Sequence, residues 1–166
     1  MWIAEVIMNN ASKEQNKAED NVKKPSGFLM LRTMSMPADA NPNGFIFGGW
    51  LMSQIDKAGA MMAFEMSRGM VATVAVKEIT FNYPVCVGDV VCCYCRCTHV
   101  GHTSLGIHLE LWSRKNSAER TDRFLITETD LTYVAIDEQG HKRQLPNSLL
   151  ENKEEVLAYG YLPGER

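Results

Sequence analysis

The sequence has no apolar run that approaches the roughly 18 residues a membrane-spanning helix requires, so we expect no membrane insertion. It also lacks a surplus of positive charge, and the net charge of −3 disfavours a general affinity for nucleic acid. The first eight residues contain no basic stretch and carry Glu5 among apolar side chains, which disfavours a secretory signal. Together these absences indicate a cytoplasmic protein.

Cysteine is confined to five positions in one short region, namely Cys86, Cys92, Cys93, Cys95 and Cys97. An odd count leaves at least one thiol free, and neighbours on one strand cannot readily bridge each other, which fits a reducing compartment. A zinc reading is open, with His99, His102 or His108 as further ligands. Zinc ligands usually come in pairs on turns, whereas these cysteines alternate along a predicted strand. Small core residues are therefore the favoured interpretation, and we expect no metal.

The length of 166 residues predicts one domain that is large enough to bury a core. Residues 1–26 are mostly polar and charged, and we predict a disordered leader there. The folded domain is predicted over residues 27–147. A helical tail is predicted over residues 148–166.

One long helix is the clearest element of the chain. It follows a polar loop, starts at a Gly-Gly step and is predicted to end near Arg68-Gly69. Apolar residues recur along it at steps of three and four and form one face: Leu51, Ile55, Ala58, Met62 and Met66. Between Gly48 and Phe64 only Asp56 and Lys57 are charged, so Asp56 has little polar company on its own helix.

The remaining segments read as strands. They are predicted over residues 28–34, 71–83 with a bulge near Lys77-Glu78, 90–99, 105–112 and 124–136, with a loop over 114–122 and a tail helix over 149–159. The fold class is therefore α+β: a curved antiparallel sheet of about five strands wrapped around one long central helix. Small residues on the helix would let the sheet approach closely.

Several motifs carry a family resemblance that covers about residues 28–147. They are Met36-Pro37-Ala38-Asp39-Ala40-Asn41-Pro42-Asn43-Gly44, Ile46-Phe47-Gly48-Gly49-Trp50, Met52-Ser53-Gln54-Ile55-Asp56, Thr73-Val74-Ala75-Val76, Val87-Gly88-Asp89-Val90-Val91-Cys92-Cys93-Tyr94, Val100-Gly101 and Thr103-Ser104. In these stretches the chain resembles bacterial YciA-type acyl-CoA thioester hydrolases, which have the hotdog fold. The resemblance implies a single hotdog domain that hydrolyses acyl-CoA thioesters.

The resemblance also implies where the chemistry lies. It makes Asp56 catalytic and brings Asn41 from the facing subunit, so that each active site lies at the interface of a homodimer. It further implies a hexamer built as a trimer of dimers. The chain departs from the family at Phe45, where Asp or Asn is usual, and at Asp130, where an apolar residue is common. Many other hotdog enzymes have His at the position of Phe47.

Asp56 can deprotonate a water or attack the thioester carbonyl, and the sequence leaves both routes open. Backbone N–H groups at Gly48 and Gly49 lie at a helix start, where unpaired donors favour the developing oxyanion. Each residue also has a structural reading. Asp56 could be an exposed carboxylate paired with Lys57, Asn41 a turn former before a proline, and the glycines a site of close helix packing.

Further residues are predicted to bind substrate. Phe47 and Trp50 flank the Gly-Gly step, and the Gly101-His102-Thr103-Ser104 turn could hold the CoA pyrophosphate with backbone N–H groups and hydroxyls. Arg143 is a candidate for the nucleotide phosphates. A plain hairpin turn is the alternative for residues 101–104. CoA is part of the substrate, and we expect no cofactor.

Two other functions compete with hydrolysis. A non-catalytic acyl-CoA-binding hotdog protein, such as a ligand sensor, would bind the same esters without turnover. A hotdog hydratase normally uses a histidine at the helix start, and no histidine precedes His99 in this chain. The hydratase is therefore the least favoured of the three.

Overall fold

The computed structural model describes residues 24–114 and 123–160. In chain order it contains strand β1 (Phe28–Met34), a short 3-10 turn (Pro37–Asp39), helix α1 (Gly48–Ser67), strands β2 (Val71–Val76), β3 (Val90–Val100), β4 (Ser104–Arg114) and β5 (Arg123–Ala135), and helices α2 (Asn147–Glu151) and α3 (Lys153–Tyr159). The five strands form one antiparallel sheet in the order β1-β3-β4-β5-β2. The predicted α+β hotdog architecture is therefore confirmed, with β1 and β2 as its two edges.

The core lies between α1 and the concave face of the sheet. All five residues of the predicted helix face are at most 5 % exposed. Alternating residues of β3 and β4 meet them from the sheet, including Val91, Cys93, Cys95, Cys97, Leu105, Ile107, Leu109 and Leu111. The helix ends as predicted, because Arg68 adopts a left-handed conformation (φ 53°) and donates its N–H to the carbonyl of Glu65.

Three of the five cysteines pack in the core, whereas Cys86 is only partly buried. Cys93, Cys95 and Cys97 are at most 1 % exposed and are not in disulfides. Burial raises the pKa of Cys93 to about 12 and that of Cys97 to about 11, so these thiols are protonated at neutral pH. All three side chains belong to the cluster of apolar residues that forms the core, which supports the packing role.

Strand β2 is shorter than predicted. Regular pairing with β5 ends at Val76, although Lys77 and Asn82 still donate single backbone hydrogen bonds to β5. The irregular register lies between Thr73 and Ala75 rather than near Lys77-Glu78. Thr73 lies directly across from Tyr133 on β5, at the end of the regular register that precedes this bulge.

The tail prediction was also only partly right. Residues 147–159 form two short helices instead of one, with a break at Asn152, whose side-chain amide donates to the carbonyl of Ser148. Val156 is fully buried and anchors the second helix. The predicted leader (1–26) lies outside the described residues except for Lys24 to Ser26, and the predicted 114–122 loop does so beyond Arg114. The domain boundaries stay predictions.

None of the described helices is long and apolar enough to cross a membrane.

Candidate active site

The loop before α1 is folded by Asn41. Its side-chain Oδ1 accepts hydrogen bonds from the backbone N–H groups of Asn43 (2.9 Å) and Phe45 (3.2 Å). Its backbone N–H donates to the carbonyl of Phe45 at 2.7 Å, and its carbonyl accepts from Gly44 at 2.9 Å. The turn-forming role of Asn41 is thus real. Its Nδ2 donates no hydrogen bond to any residue the structure describes, which leaves a donor for a group outside the protomer.

Helix α1 begins without a side-chain cap, because Phe47 occupies the N-cap position. The carbonyl of Phe47 accepts hydrogen bonds from Trp50 (3.0 Å) and Leu51 (3.2 Å). The N–H groups of Gly48 and Gly49 have no acceptor among the described residues. A Cβ atom at Gly49 would meet nothing within 4 Å, so a ligand can approach the backbone there.

Asp56 lies on the exposed flank of α1, facing the start of β2. Its Oδ1 accepts a hydrogen bond from Oγ1 of Thr73 at 2.7 Å. The hydroxyl of Tyr133 lies 3.0 Å from the backbone carbonyl of Asp56 and 3.4 Å from its Oδ1. Lys57, the partner in the alternative reading, makes no ion pair with Asp56 in the described part of the chain. The carboxylate is therefore held by hydroxyls and remains open to solvent.

Sequence reasoning missed Thr73 and Tyr133. Thr73 stood in a quoted motif without a role, and Tyr133 was not singled out. Tyr133 is fully buried, and burial together with the nearby charge of Asp56 raises its pKa, so the hydroxyl stays protonated as a donor. Gly59 was the one sequence signal for this contact. Glycine in a helix interior costs about 1 kcal/mol relative to alanine, so its presence there indicates that another group packs closely against the helix.

Gly59 makes room for that tyrosine. A Cβ at position 59 would lie 2.3 Å from the hydroxyl oxygen of Tyr133 and 3.0 Å from two of its ring carbons. No rotation of a buried ring can relieve three such contacts, so the helix or the strand would have to move. The close packing of α1 on β5 at this point therefore depends on Gly59.

We expect Gly59→Ala to lower the free energy of unfolding by about 1–3 kcal/mol, the usual cost of overpacking, although alanine is the better helix former. Urea unfolding followed by circular dichroism measures the change. Gly49→Ala is the matched control, since it makes the same exchange in the same helix where the space is open. Equal stability of the wild type and Gly59→Ala would refute the tight contact.

The predicted substrate residues Gly101, His102, Thr103 and Ser104 form the β3–β4 turn. Gly101 donates its N–H to the carbonyl of Ser104 at 2.8 Å, and the carbonyl of Thr103 accepts from Ala135 at 2.8 Å. The hairpin reading is thus correct as local structure. Ala135 lies two residues beyond Tyr133 on β5, about 7 Å along the strand, so this hydrogen bond ties the turn to the strand that carries Tyr133.

Arg143 is engaged by the protein itself. Its Nη2 donates to the carbonyl of Ser67 at 3.0 Å, its Nε to Ile136 at 3.1 Å and its Nη1 to Gln144 at 3.4 Å. These bonds tie the end of α1 to the segment after β5. The predicted phosphate contact of Arg143 stays a prediction, and it would require the guanidinium to share these donors.

Phe47 and Trp50 differ in their surroundings. The ring of Phe47 is about half exposed, while Trp50 is partly buried against the core. Phe47 is thus available to a ligand or to a partner subunit, and Trp50 chiefly supports the first turn of α1.

An apolar groove runs along α1 from the turn after Asp56. It has a volume of about 730 Å³ and is lined mainly by apolar side chains: Leu31, Lys57, Ala60, Met61, Phe64, Glu65, Met70, Val71 and Ile136. Met61 and Phe64 are each about half exposed in it. Such a groove beside a carboxylate suits an apolar chain whose polar end lies at Asp56.

A second polar cluster lies on the sheet, around Asp130. Partial burial alone would raise the pKa of this carboxyl, but hydrogen bonds from His108 (2.9 Å) and Lys77 (3.0 Å) outweigh it and lower the pKa. His108, Glu110 and Glu128 lie within 4.8 Å of one another, but Glu110 already accepts hydrogen bonds from Ser26 and Trp112. This cluster therefore reads as a structural network.

Comparison with known proteins gives a consistent picture. A sequence model described as the thioesterase superfamily matches residues 43–119. An uncharacterized acyl-CoA thioester hydrolase of Haemophilus influenzae is 44 % identical over 144 residues, which cover 86 % of this chain and 94 % of the relative. The acyl-CoA thioester hydrolase YciA of Escherichia coli K12 is 53 % identical over 123 residues, or 74 % of this chain and 93 % of the relative.

Solved structures agree in fold. A hexameric broad-specificity acyl-coenzyme A thioesterase matches with a TM-score of 0.77 at 43 % identity, covering 89 % of this chain and 98 % of that one. A hexameric thioesterase from Yersinia pestis matches with a TM-score of 0.70 at 54 % identity, covering 74 % and 98 % of the two chains.

Proposed function

The chain belongs to the acyl-CoA thioester hydrolases of the thioesterase superfamily, and from this membership we propose that it cleaves acyl-CoA esters at Asp56. The proposal rests on the exposure and the hydrogen bonding of the Asp56 carboxylate. It is exposed to a ligand, yet Thr73 fixes it with a 2.7 Å hydrogen bond. A fixed and accessible carboxylate suits either a general base or a nucleophile.

The chemistry balances in both routes. As a base, Asp56 takes a proton from water while the hydroxide forms the new C–O bond, and the C–S bond then breaks to give a free acid and CoA. As a nucleophile, Asp56 first forms an acyl anhydride and releases CoA, and water then opens the anhydride. The CoA sulfur regains a proton at the end of either route.

Stabilisation of the oxyanion is assigned to the N–H groups of Gly48 and Gly49. They are unpaired in the described chain and lie at the positive end of the helix dipole. The space beside Gly49 is open, whereas the ring of Phe81 lies beside Gly48. Each such donor typically contributes about 3 kcal/mol to lowering the barrier.

The same helix supports a site shared between two protomers. Gly48 and Asp56 are eight residues apart, which is about 12 Å along the helix axis at about 1.5 Å per residue. Reacting groups must approach within about 3.5 Å of each other, so one thioester cannot meet both ends within one protomer. Gly48, Gly49 and the nearby Asn41 of one subunit would thus act with Asp56 of the facing subunit.

Strand β2 is the edge best suited to that dimer. Val74 and Val76 are about half exposed on it, and an uncovered apolar edge strand favours pairing with another strand. Thr73 lies on the same strand, so pairing of two β2 edges would bring the Asp56 sites to the interface. The solved relatives are hexameric, and we assign this chain to a trimer of dimers. A cytoplasmic location and the absence of a cofactor stay predictions.

Release of free thiol from a panel of acyl-CoAs tests the function. The panel contains acetyl, butyryl, hexanoyl, lauroyl, palmitoyl and benzoyl esters, and turnover above the buffer rate is expected for at least one chain class. Binding of these esters by calorimetry without turnover would instead support the ligand sensor, in which Phe45 marks the departure from the active enzymes.

The groove along α1 is assigned to the acyl chain. Ala60 lies one turn beyond Asp56 and lines it. We expect Ala60→Leu to lower kcat/KM for lauroyl-CoA by about a hundredfold, because displacing three or four methylenes loses about 0.8 kcal/mol each. Acetyl-CoA should change by less than about threefold, as a short acyl group does not reach the obstruction.

Ala158→Leu is the matched control, since it makes the same exchange on the exposed tail helix α3. The comparison is made between chain lengths within each variant, so a general loss of folded protein cancels. An equal loss for acetyl-CoA and lauroyl-CoA would show that the acyl chain lies elsewhere.

A further inference from the structure

We infer that Tyr133 is a positioning residue for the hydrolysis: it fixes the turn of α1 that carries Asp56 while Thr73 holds Oδ1, so that Oδ2 is the reacting oxygen. The inference rests on the proposed function, because it assigns roles to the two oxygens of the same carboxylate. It begins with the convergence of two hydroxyls on one atom. Thr73 reaches Oδ1 at 2.7 Å and Tyr133 reaches it at 3.4 Å.

The sheet sets up this convergence. Thr73 and Tyr133 are direct cross-strand partners on β2 and β5, and the irregularity in the register comes only after Thr73. Paired residues on one face of a sheet have side chains about 5 Å apart, so both hydroxyls point at the same turn of α1. Their positions are fixed by the backbone of the sheet rather than by flexible loops.

Oδ2 of Asp56 is left without such a partner. It accepts no hydrogen bond from any of the described residues, whereas Oδ1 accepts the 2.7 Å bond from Thr73. An oxygen that already accepts a strong hydrogen bond is a weaker base and nucleophile than one that does not. The exposed oxygen is therefore the one that meets water or the thioester carbon.

Tyr133 also holds the helix itself. Its hydroxyl lies 3.0 Å from the carbonyl of Asp56, which is closer than its 3.4 Å distance to Oδ1. A hydroxyl has one proton, so it donates mainly to that carbonyl. The bond ties the backbone of the catalytic turn to β5, and the missing side chain at Gly59 is what permits the approach. Thr73 thus orients the carboxylate, and Tyr133 fixes the turn from which it projects.

Tyr133→Phe tests the role, since it removes the hydroxyl and keeps the buried ring. We expect kcat to fall about tenfold, the effect of losing one hydrogen bond of this kind, while KM changes by less than about twofold. Tyr159→Phe, at an exposed tyrosine of the tail, is the matched control and should leave both constants unchanged.

The two variants are repeated in an Asp56→Asn background to separate positioning from packing. A residue that acts through Asp56 loses its effect there, so Tyr133→Phe should lower the residual rate by less than about twofold. A merely structural tyrosine would lower it tenfold again, or would lower the melting temperature with kcat unchanged. Either result with an active wild type would overturn this inference alone. An inactive wild type would instead overturn the proposed function, and this inference with it.

Discussion

Asp56→Asn should lower kcat/KM for every acyl-CoA substrate by about a thousandfold or more, because an amide is neither a base nor a nucleophile at neutral pH. The variant should remain folded. Its side-chain oxygen can still accept the hydrogen bond from Thr73, and its backbone carbonyl still accepts from Tyr133. Steady-state thiol release measures the loss, and a melting curve checks the fold.

Glu138→Gln is the control for this exchange, because it neutralises an exposed carboxylate in the turn after β5. It should retain the wild-type rate. Comparable turnover by Asp56→Asn and the wild type would mean that another group performs the chemistry. Asp130 would be the next carboxylate to test, although its oxygens already form hydrogen bonds with His108 and Lys77.

A single turnover in heavy-oxygen water tests whether Asp56 acts as a nucleophile. General-base catalysis, like opening of an anhydride at the acyl carbon, places the heavy oxygen in the released acid. Attack by Asp56, followed by opening of the anhydride at the aspartyl carbon, places it in the protein, where mass spectrometry of the peptide that carries Asp56 detects it.

The spacing of apolar residues predicted correctly the elements whose buried face depends only on that spacing. The spacing of Leu51, Ile55 and Ala58 reports burial directly, so α1 and its buried face were predicted correctly. The alternation of β3 and β4 likewise reports which side chains face the core. Strand β2 was predicted too long because its later residues keep strand-like composition while the pairing with β5 has already lapsed.

The surroundings of Asp56 could not be predicted in the same way. Thr73 and Tyr133 are 17 and 77 residues from Asp56 in sequence, and only the register of β2 against β5 brings them to one point. No local pattern in either strand specifies that register, in which residues 71–73 pair with residues 133–135 ahead of the bulge. Gly59 was noted as a small residue for close packing, but nothing in the sequence indicates what approaches it.

The catalytic role of Asn41 was predicted from the family resemblance, whereas its position before a proline predicted only a turn. The structure of the protomer shows why the local pattern indicated no more than the turn. The side-chain oxygen of Asn41 does fold the loop, through Asn43 and Phe45. Its amide nitrogen is the part that a facing subunit could use. The observed role of Asn41 in its loop and its proposed role in the site thus use different atoms of one side chain.

The proposed site, shared between two protomers, predicts a result that a site within one protomer cannot give. Asn41→Ala and Asp56→Ala should each be nearly inactive alone, but a mixture unfolded and refolded together should recover about a quarter of the wild-type activity. In a mixed dimer, one site combines the intact Asp56 of one subunit with the intact Asn41 of the other. The second site carries both substitutions and is inactive. Random pairing makes half of the dimers mixed, and each contributes one of its two sites.

The two variants mixed without unfolding are the control, because intact dimers exchange subunits slowly and should stay inactive. Refolding each variant by itself accounts for losses in the procedure. If activity is recovered only after joint refolding, Asn41 and Asp56 of one site come from different chains. The proposed glycine donors require the same arrangement, because Gly48 lies about 12 Å from Asp56 along α1. Failure to recover, with dimers re-formed, would place Asn41 and Asp56 in the same protomer's site or would confine Asn41 to folding its loop.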